Sequence, residues 1–194
     1  FFGGMHPAAP NWKEELDRLA AAGVKGIKLH PEYQEFYVND PKMKPIYRHI
    51  SRLGLITLFH AGQDYGKLPP YHCMPEHMAQ AMGWLESPVV VAHWGGVGCG
   101  QQVLETLCGE NLWFDLSFGY GTLPRNMAQA IVDRHTPDRL LFGSDMPWHR
   151  PEWELRLIHS LDISEPDREK IFSVIINYPF FREFGKHFLK VRIL

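Results

Sequence analysis

Short apolar runs alternate with amphipathic stretches along this sequence, and that alternation limits the folds open to it. The runs cover residues 1–5, 26–29, 55–60, 89–93, 112–117 and 139–145. Between them stand helical patterns at 11–22, 45–53, 75–85, 101–107 and 124–135, and two more, at 152–159 and 165–176, close the chain. In the first of these, Trp12, Leu16, Leu19 and Ala20 recur at helical spacing while Glu15 and Arg18 take the wet side. Asn11 stands where an N-cap belongs and Gly23 where a helix ends. Strands alternating with helices imply a parallel sheet with crossover helices. Runs that are apolar throughout, such as VVVA at 89–92, suit strands covered on both faces. The expected class is α/β, as an open doubly wound sheet or a (β/α) barrel. No GxGxxG follows the first run, which weighs against a dinucleotide fold. GGVGCG at 95–100 precedes a helix but lacks the Lys-Ser/Thr of a phosphate loop.

Bulk properties narrow the function. With 194 residues, 45% hydrophobic and 22% charged, the chain has the size and composition of one globular domain with a sizeable core. A net charge of −2 leaves no basic footprint for nucleic acid and no polybasic patch for lipid, and no apolar run is long enough to span a bilayer. The expected partner is therefore a small-molecule substrate, not nucleic acid or a membrane. Cys73, Cys99 and Cys108 show no CxxC spacing and read as reduced thiols of a cytoplasmic protein.

The polar residues that matter stand where the runs end. Lys28 and His30 lie at the end of the second run, His60 closes the third, His93 the fourth and Asp145 the sixth, while Asp115 and Ser117 lie at the end of the fifth. In barrels and open α/β sheets alike, ligands bind at the carboxyl ends of the strands. Neutral imidazoles and a carboxylate are ligands for Zn²⁺ and similar ions, and an open coordination position activates water. Asp145 is then expected in the metal's first coordination sphere, with Gly143 and Pro147 shaping its turn and Trp148 walling the pocket against bulk water. Lys28 reads as a pocket lysine, charged or carbamylated. Asp64 and Tyr65, with Tyr71 and His72, fall in a long Gly/Pro-rich loop that suggests a pocket lining. His30, directly before Pro31, and His135, inside a helical pattern, read as structural or packing residues.

Taken in order, GIKLHPEYQEF, LITLFHAGQD, VVVAHWGG, WFDLS and RLLFGSDMPW resemble the amidohydrolase superfamily, and most closely its amidohydrolase-related group of metal-dependent TIM-barrel hydrolases, which also contains decarboxylases. The resemblance covers nearly the whole chain. It implies a (β/α)8 barrel, with residues 1–5 as the third strand and the later runs as strands four to eight. It implies His60 as the strand-five metal ligand and Asp145 as the strand-eight aspartate that binds metal and often serves as general base. His93 would be a second metal ligand or a catalytic acid/base, and Lys28 stands where binuclear members carry a carbamylated lysine. The implied cofactor is a divalent ion, Zn²⁺ first, with Mn²⁺ or Fe²⁺ served by the same ligand types.

One departure stands out: the HxH pair of the family's first strand is not in this sequence, and about six βα units are visible of the eight a barrel needs. The expectation is a single domain over residues 1–194 that is incomplete at its N-terminus by about two units, on the order of 60 residues. Such a barrel would have reason to pair, so a homo-oligomer is an open option. The expected activity is hydrolysis of an amide, ester or lactone by metal-activated water. Non-oxidative decarboxylation on the same framework is the alternative; carboxylate-binding arginines would favour it, with Arg125 and Arg150 as the candidates. A non-catalytic fragment or interaction module without a complete metal site is the third reading.

Overall fold

The computed structural model describes residues 2–177. Strands alternate with helices, with two helices between β2 and β3 and two after β6: β1 (Gly3–Gly4), α1 (Trp12–Ala21), β2 (Gly26–Leu29), α2 (Pro31–Gln34), α3 (Lys44–Arg52), β3 (Ile56–Phe59), α4 (Pro75–Ala81), β4 (Val89–Val91), α5 (Gly100–Thr106), β5 (Trp113–Asp115), α6 (Arg125–His135), β6 (Leu140–Leu141), α7 (Pro151–His159) and α8 (Glu165–Asn177). All six strands form one parallel sheet in the order β1-β2-β3-β4-β5-β6. A doubly wound sheet reverses its strand order at a switch point. This one never reverses: each strand is laid beside the last, in the manner of a (β/α) barrel, and the open-sheet option falls away.

Strand period sorts the side chains. Ile27, Leu29, Phe59, Val91 and Phe114 belong to the large core shared with the helices. Leu58, Val90 and Trp113, their neighbours in sequence, gather with Ile56 and Leu141 in a smaller cluster on the sheet's other face. Lys28 pairs in register with Leu58, so it shares that inner face. Asp115 pairs in register with Leu141 and shares it too, and continuing the same alternation past the end of β3 brings His60 there as well. The helices supply the outer layer: Leu16 and Leu19 of α1, and Ile46, Tyr47 and Ile50 of α3, are buried against the sheet. Each fully buried side chain of this kind contributes about 1.5–3 kcal/mol relative to exposure.

The elements differ from the sequence reading in three places. β1 and β6 are two-residue ladders although the apolar runs are longer, because the outer strands have a neighbour on one side only among the described residues. Phe1, part of the first run, lies outside the described residues. The segment after Pro31 is a helical turn rather than a loop, since proline suits the first helical position while it stops the strand. α4 ends at Ala81 and continues as a 3-10 turn over Met82–Trp84. Among the described residues, no helix is long and apolar enough to cross a membrane.

His135, the last residue of α6, is fully buried and ties the turn before β5 to the outer layer. Gly109 N–H donates to its Nδ1 at 3.2 Å, so its proton sits on Nε2, which reaches Leu112 O at 3.1 Å. The ring stacks on Phe114 at 4.0 Å. A second proton would oppose the Gly109 N–H, and burial pushes the imidazole down to about 4. The folded state therefore binds fewer protons than the unfolded one between about pH 4 and 6.5, and stability is lost as pH falls through that window. His135→Phe is expected to cost about 1–3 kcal/mol at pH 7 by leaving two backbone groups unpaired. The same variant should show a shallower loss of stability from pH 6.5 to 4, read from urea unfolding at each pH.

Candidate active site

The carboxyl ends of β2 to β6 surround a cavity of about 690 Å³ whose lining includes Lys28, His60, Asp64, His93, Asp145 and Trp148. Backbone pairing carries the first two histidines into it. His60 N bonds Leu29 O at 3.0 Å, which extends the β2–β3 ladder by one residue, and Ala92 N bonds Phe59 O at 2.9 Å, which delivers His93 just beyond β4. The chain then turns sharply. His93, Trp94, Phe118 and Asp145 all have φ near +60° (62°, 60°, 60° and 60°), a left-handed conformation costing a non-glycine residue roughly 1–2 kcal/mol. Three of these four residues line the cavity, as expected if strain is concentrated where side chains must be aimed.

The glycine-rich segment after His93 is a packing device. At Gly62 a Cβ would lie 2.2 Å from Val97 N, and its φ is +81°, so only glycine lets the loop after β3 meet the loop after β4. Gly62 pairs with Val97 in an isolated bridge there.

His60 is the hub of the site. Its Nδ1 lies 3.1 Å from His93 Nε2, and its ring stacks on His30 at 4.1 Å with 10° between planes. Asp64 Oδ2 stands 3.7 Å from His60 Nε2 and 3.5 Å from His30 Nε2. His93 Nδ1 meets Ser117 Oγ at 2.8 Å, and Ser117 Oγ in turn meets Asp115 Oδ1. Burial, then the neighbouring His93, His30 and Lys28, hold the His60 imidazole far below its ordinary value. Burial also lowers His93, to about 4, against the opposing pull of Asp115. Both rings are therefore neutral near pH 7. Burial lowers the Lys28 ammonium, partly offset by Asp115 and Asp145. Asp145 is pushed upward by desolvation of its carboxyl and then by Asp115, although much of the residue is open to solvent.

Lys28, His60, Asp64, His93, Asp145 and Trp148, singled out from the sequence, all reach this one cavity, but not one cluster. Donor atoms of His30, His60 and Asp64 lie within 4.8 Å of one another, the one such group among the described residues, and Asp145 is not part of it. Trp148 is 75% exposed, so it forms a rim rather than a wall against water. Tyr65 lines the cavity as expected of its loop, whereas His72 turns away to a buried carboxylate, its Nδ1 2.6 Å from Glu32 Oε2. Arg125 is engaged with Ser160 O and Asp162, and no arginine lines the cavity among the described residues.

The structure adds residues that the sequence reading set aside or passed over. His30 sits two residues after Lys28, the spacing that puts both on one side of an extended chain, and Pro31 drew attention from it. His149 lines the cavity, stacked on Phe118 at 4.0 Å, with Nδ1 2.7 Å from Glu154 Oε1. Glu154 is fully buried on α7 and also accepts from Gly119 N at 3.0 Å and Tyr120 N at 3.1 Å.

The donor set suits a divalent ion. His60 Nε2 is buried and has no hydrogen-bond partner, yet it faces a carboxylate 3.7 Å away. Two ligands in a zinc tetrahedron stand about 3.3–3.4 Å apart, given bonds of about 2.0–2.1 Å. The separations of 3.5 and 3.7 Å from Asp64 are close to that spacing. The parallel stacking of His30 on His60 puts a limit on this, since one ion cannot lie in both ring planes; His30 would have to turn to share it.

The Amidohydro_2 family model, described as amidohydrolase, matches residues 1–173. No curated protein matches the sequence. Among solved structures, 2,6-dihydroxybenzoate decarboxylase from Rhizobium aligns over 95% of this chain and 71% of its own, with a TM-score of 0.70 and 16% identity. An uncharacterized TIM-barrel protein from Bordetella bronchiseptica aligns over 96% of this chain and 66% of its own, with a TM-score of 0.72 and 18% identity. A probable 2-pyrone-4,6-dicarboxylic acid hydrolase from Acinetobacter baumannii, with citric acid bound, aligns over 93% and 72%, with a TM-score of 0.67 and 20% identity. These likenesses establish the barrel-type fold.

Glu154→Ala should lower stability by about 2–4 kcal/mol, because two N–H groups and an imidazole lose a buried acceptor together. Glu154→Gln, which keeps an acceptor oxygen, should lose clearly less. Urea unfolding of the two variants beside the wild type measures both.

Proposed function

The chain belongs to the amidohydrolase family, and we propose that its cavity is the active site of a metal-dependent hydrolase acting on an amide, ester or lactone of a small molecule. The observation that carries the choice of hydrolysis is the charge inventory of the cavity. No arginine lines it among the described residues, and its one lysine, Lys28, interacts with both Asp115 and Asp145. A neutral carbonyl substrate needs no further cation, whereas a carboxylate to be expelled as CO₂ needs one to hold it.

The family generally uses a divalent metal. His60 and Asp64 would hold it here, His30 after turning its ring, and Asp145 is the fourth candidate that the resemblance supplies. A bound ion of this kind lowers the pKa of a water molecule and polarises a carbonyl. Asp145 takes the role of general base: its carboxyl is raised by burial and by Asp115, against the opposing pull of Lys28 and His149, which makes it the stronger proton acceptor. His93 is less free for that role, since both of its ring nitrogens are engaged, with Ser117 and with His60. Lys28 holds the charge of Asp145 in the cavity. Phe118 and Tyr65, whose rings lie 5.8 Å apart, supply aromatic walls for the substrate.

Decarboxylation stays as a second reading, because those aromatic walls also suit a planar aromatic acid. A panel of esters and lactones, run beside aromatic acids with CO₂ release as the readout, separates the two. Turnover of the first group supports hydrolysis, and CO₂ release alone reverses the assignment. Asp145→Asn should reduce kcat at least about 100-fold, the lower end for loss of a general base, with an unchanged thermal midpoint. Near wild-type turnover would remove Asp145 from that role.

A further inference from the structure

Protons can be placed along the hydrogen-bonded chain behind His60. Asp115 Oδ1 accepts from two backbone donors, His93 N at 3.2 Å and Ser117 N at 2.9 Å, so it is arranged as an acceptor. It also meets Ser117 Oγ, and between these two atoms the only proton belongs to the hydroxyl. With its proton spent on Asp115, Ser117 Oγ can only accept from His93 Nδ1, 2.8 Å away. The proton of a neutral His93 is therefore on Nδ1, and its Nε2 is a lone pair. That lone pair faces His60 Nδ1 at 3.1 Å, which must then carry the His60 proton. The chain ends at His60 Nε2, left unprotonated, buried and without a partner, opposite the Asp64 carboxylate.

We propose that Asp115, Ser117 and His93 form a tautomer lock, which fixes the His60 proton on Nδ1 and presents Nε2 as a ready metal ligand, with Ser117 as a positioning residue for the divalent ion. The inference rests on the metal reading above and deepens it. A ligating histidine generally donates its other N–H to an acceptor that sets ring orientation and basicity. Here that acceptor is a second histidine, and its own tautomer is set by a serine and an aspartate two residues apart on one strand end. A lone pair and a carboxylate facing each other across 3.7 Å repel until a cation comes between them, so the lock raises the affinity of the site for one.

The test uses the full chain and Zn²⁺, with isothermal titration calorimetry in the presence of a competing chelator. Ser117→Ala should raise the Zn²⁺ dissociation constant about 10–100-fold, the usual cost of losing an outer-shell partner. Ser117→Thr, which keeps the hydroxyl, should return it to within about threefold of wild type on the same scale. A second measurement needs no variant: long-range ¹H–¹⁵N spectra of the metal-free wild type should show His60 and His93 both protonated on Nδ1. An unchanged constant in a folded Ser117→Ala, or His60 protonated on Nε2, overturns the lock while leaving the metal reading intact. A wild-type chain with no measurable Zn²⁺ affinity overturns both.

Discussion

A buried imidazole nitrogen without a hydrogen-bond partner, 3.7 Å from a carboxylate, is the constraint around which this molecule is arranged. Burying such a pair with nothing between them costs free energy that folding alone does not return. The surrounding architecture supplies the means to hold it. A parallel sheet that never reverses delivers its strand ends to one side, and the strand period places Lys28, His60 and Asp115 on one face. Four left-handed residues turn the chain at the cavity, and Glu154 anchors the loop after β5 from below. The unpaired imidazole nitrogen and the left-handed residues cost stability locally. The fully apolar strands and the helix layer over them offset that cost.

The fold was legible because it depends on periodicities that sequence carries openly. Apolar runs of strand length alternating with amphipathic stretches leave a parallel, helix-covered sheet as the consistent solution. Only the strand order decided between an open sheet and a barrel, since tertiary winding leaves no local signature. The edges of the elements were less legible. β6 was expected to run through Asp145, yet its ladder stops at Leu141, because ladder length depends on what lies alongside.

The site was half legible. His60, His93, Lys28 and Asp145 were readable as polar residues interrupting apolar strand ends, and all four reach one cavity. His30 was not, because its neighbour Pro31 offered a sufficient structural explanation, although its i, i+2 relation to Lys28 pointed to the same face. The His149–Glu154 pair left no signal at all: it joins a loop residue to the first turn of α7, and nothing in spacing distinguishes a buried glutamate there from the solvated ones common in that position. Trp148 had the opposite fate. Its size suggested a wall, but it is 75% exposed, while its neighbour His149 takes the inward place in the same loop, stacked on Phe118.

Anomalous diffraction from crystals of the full chain grown with Zn²⁺, collected on both sides of the zinc edge, bears on the whole account. The account predicts one strong peak inside the cavity, within bonding distance of His60 Nε2 and shared with a carboxylate. No peak in the cavity, or zinc bound only at surface histidines such as His6 or His159, would contradict it.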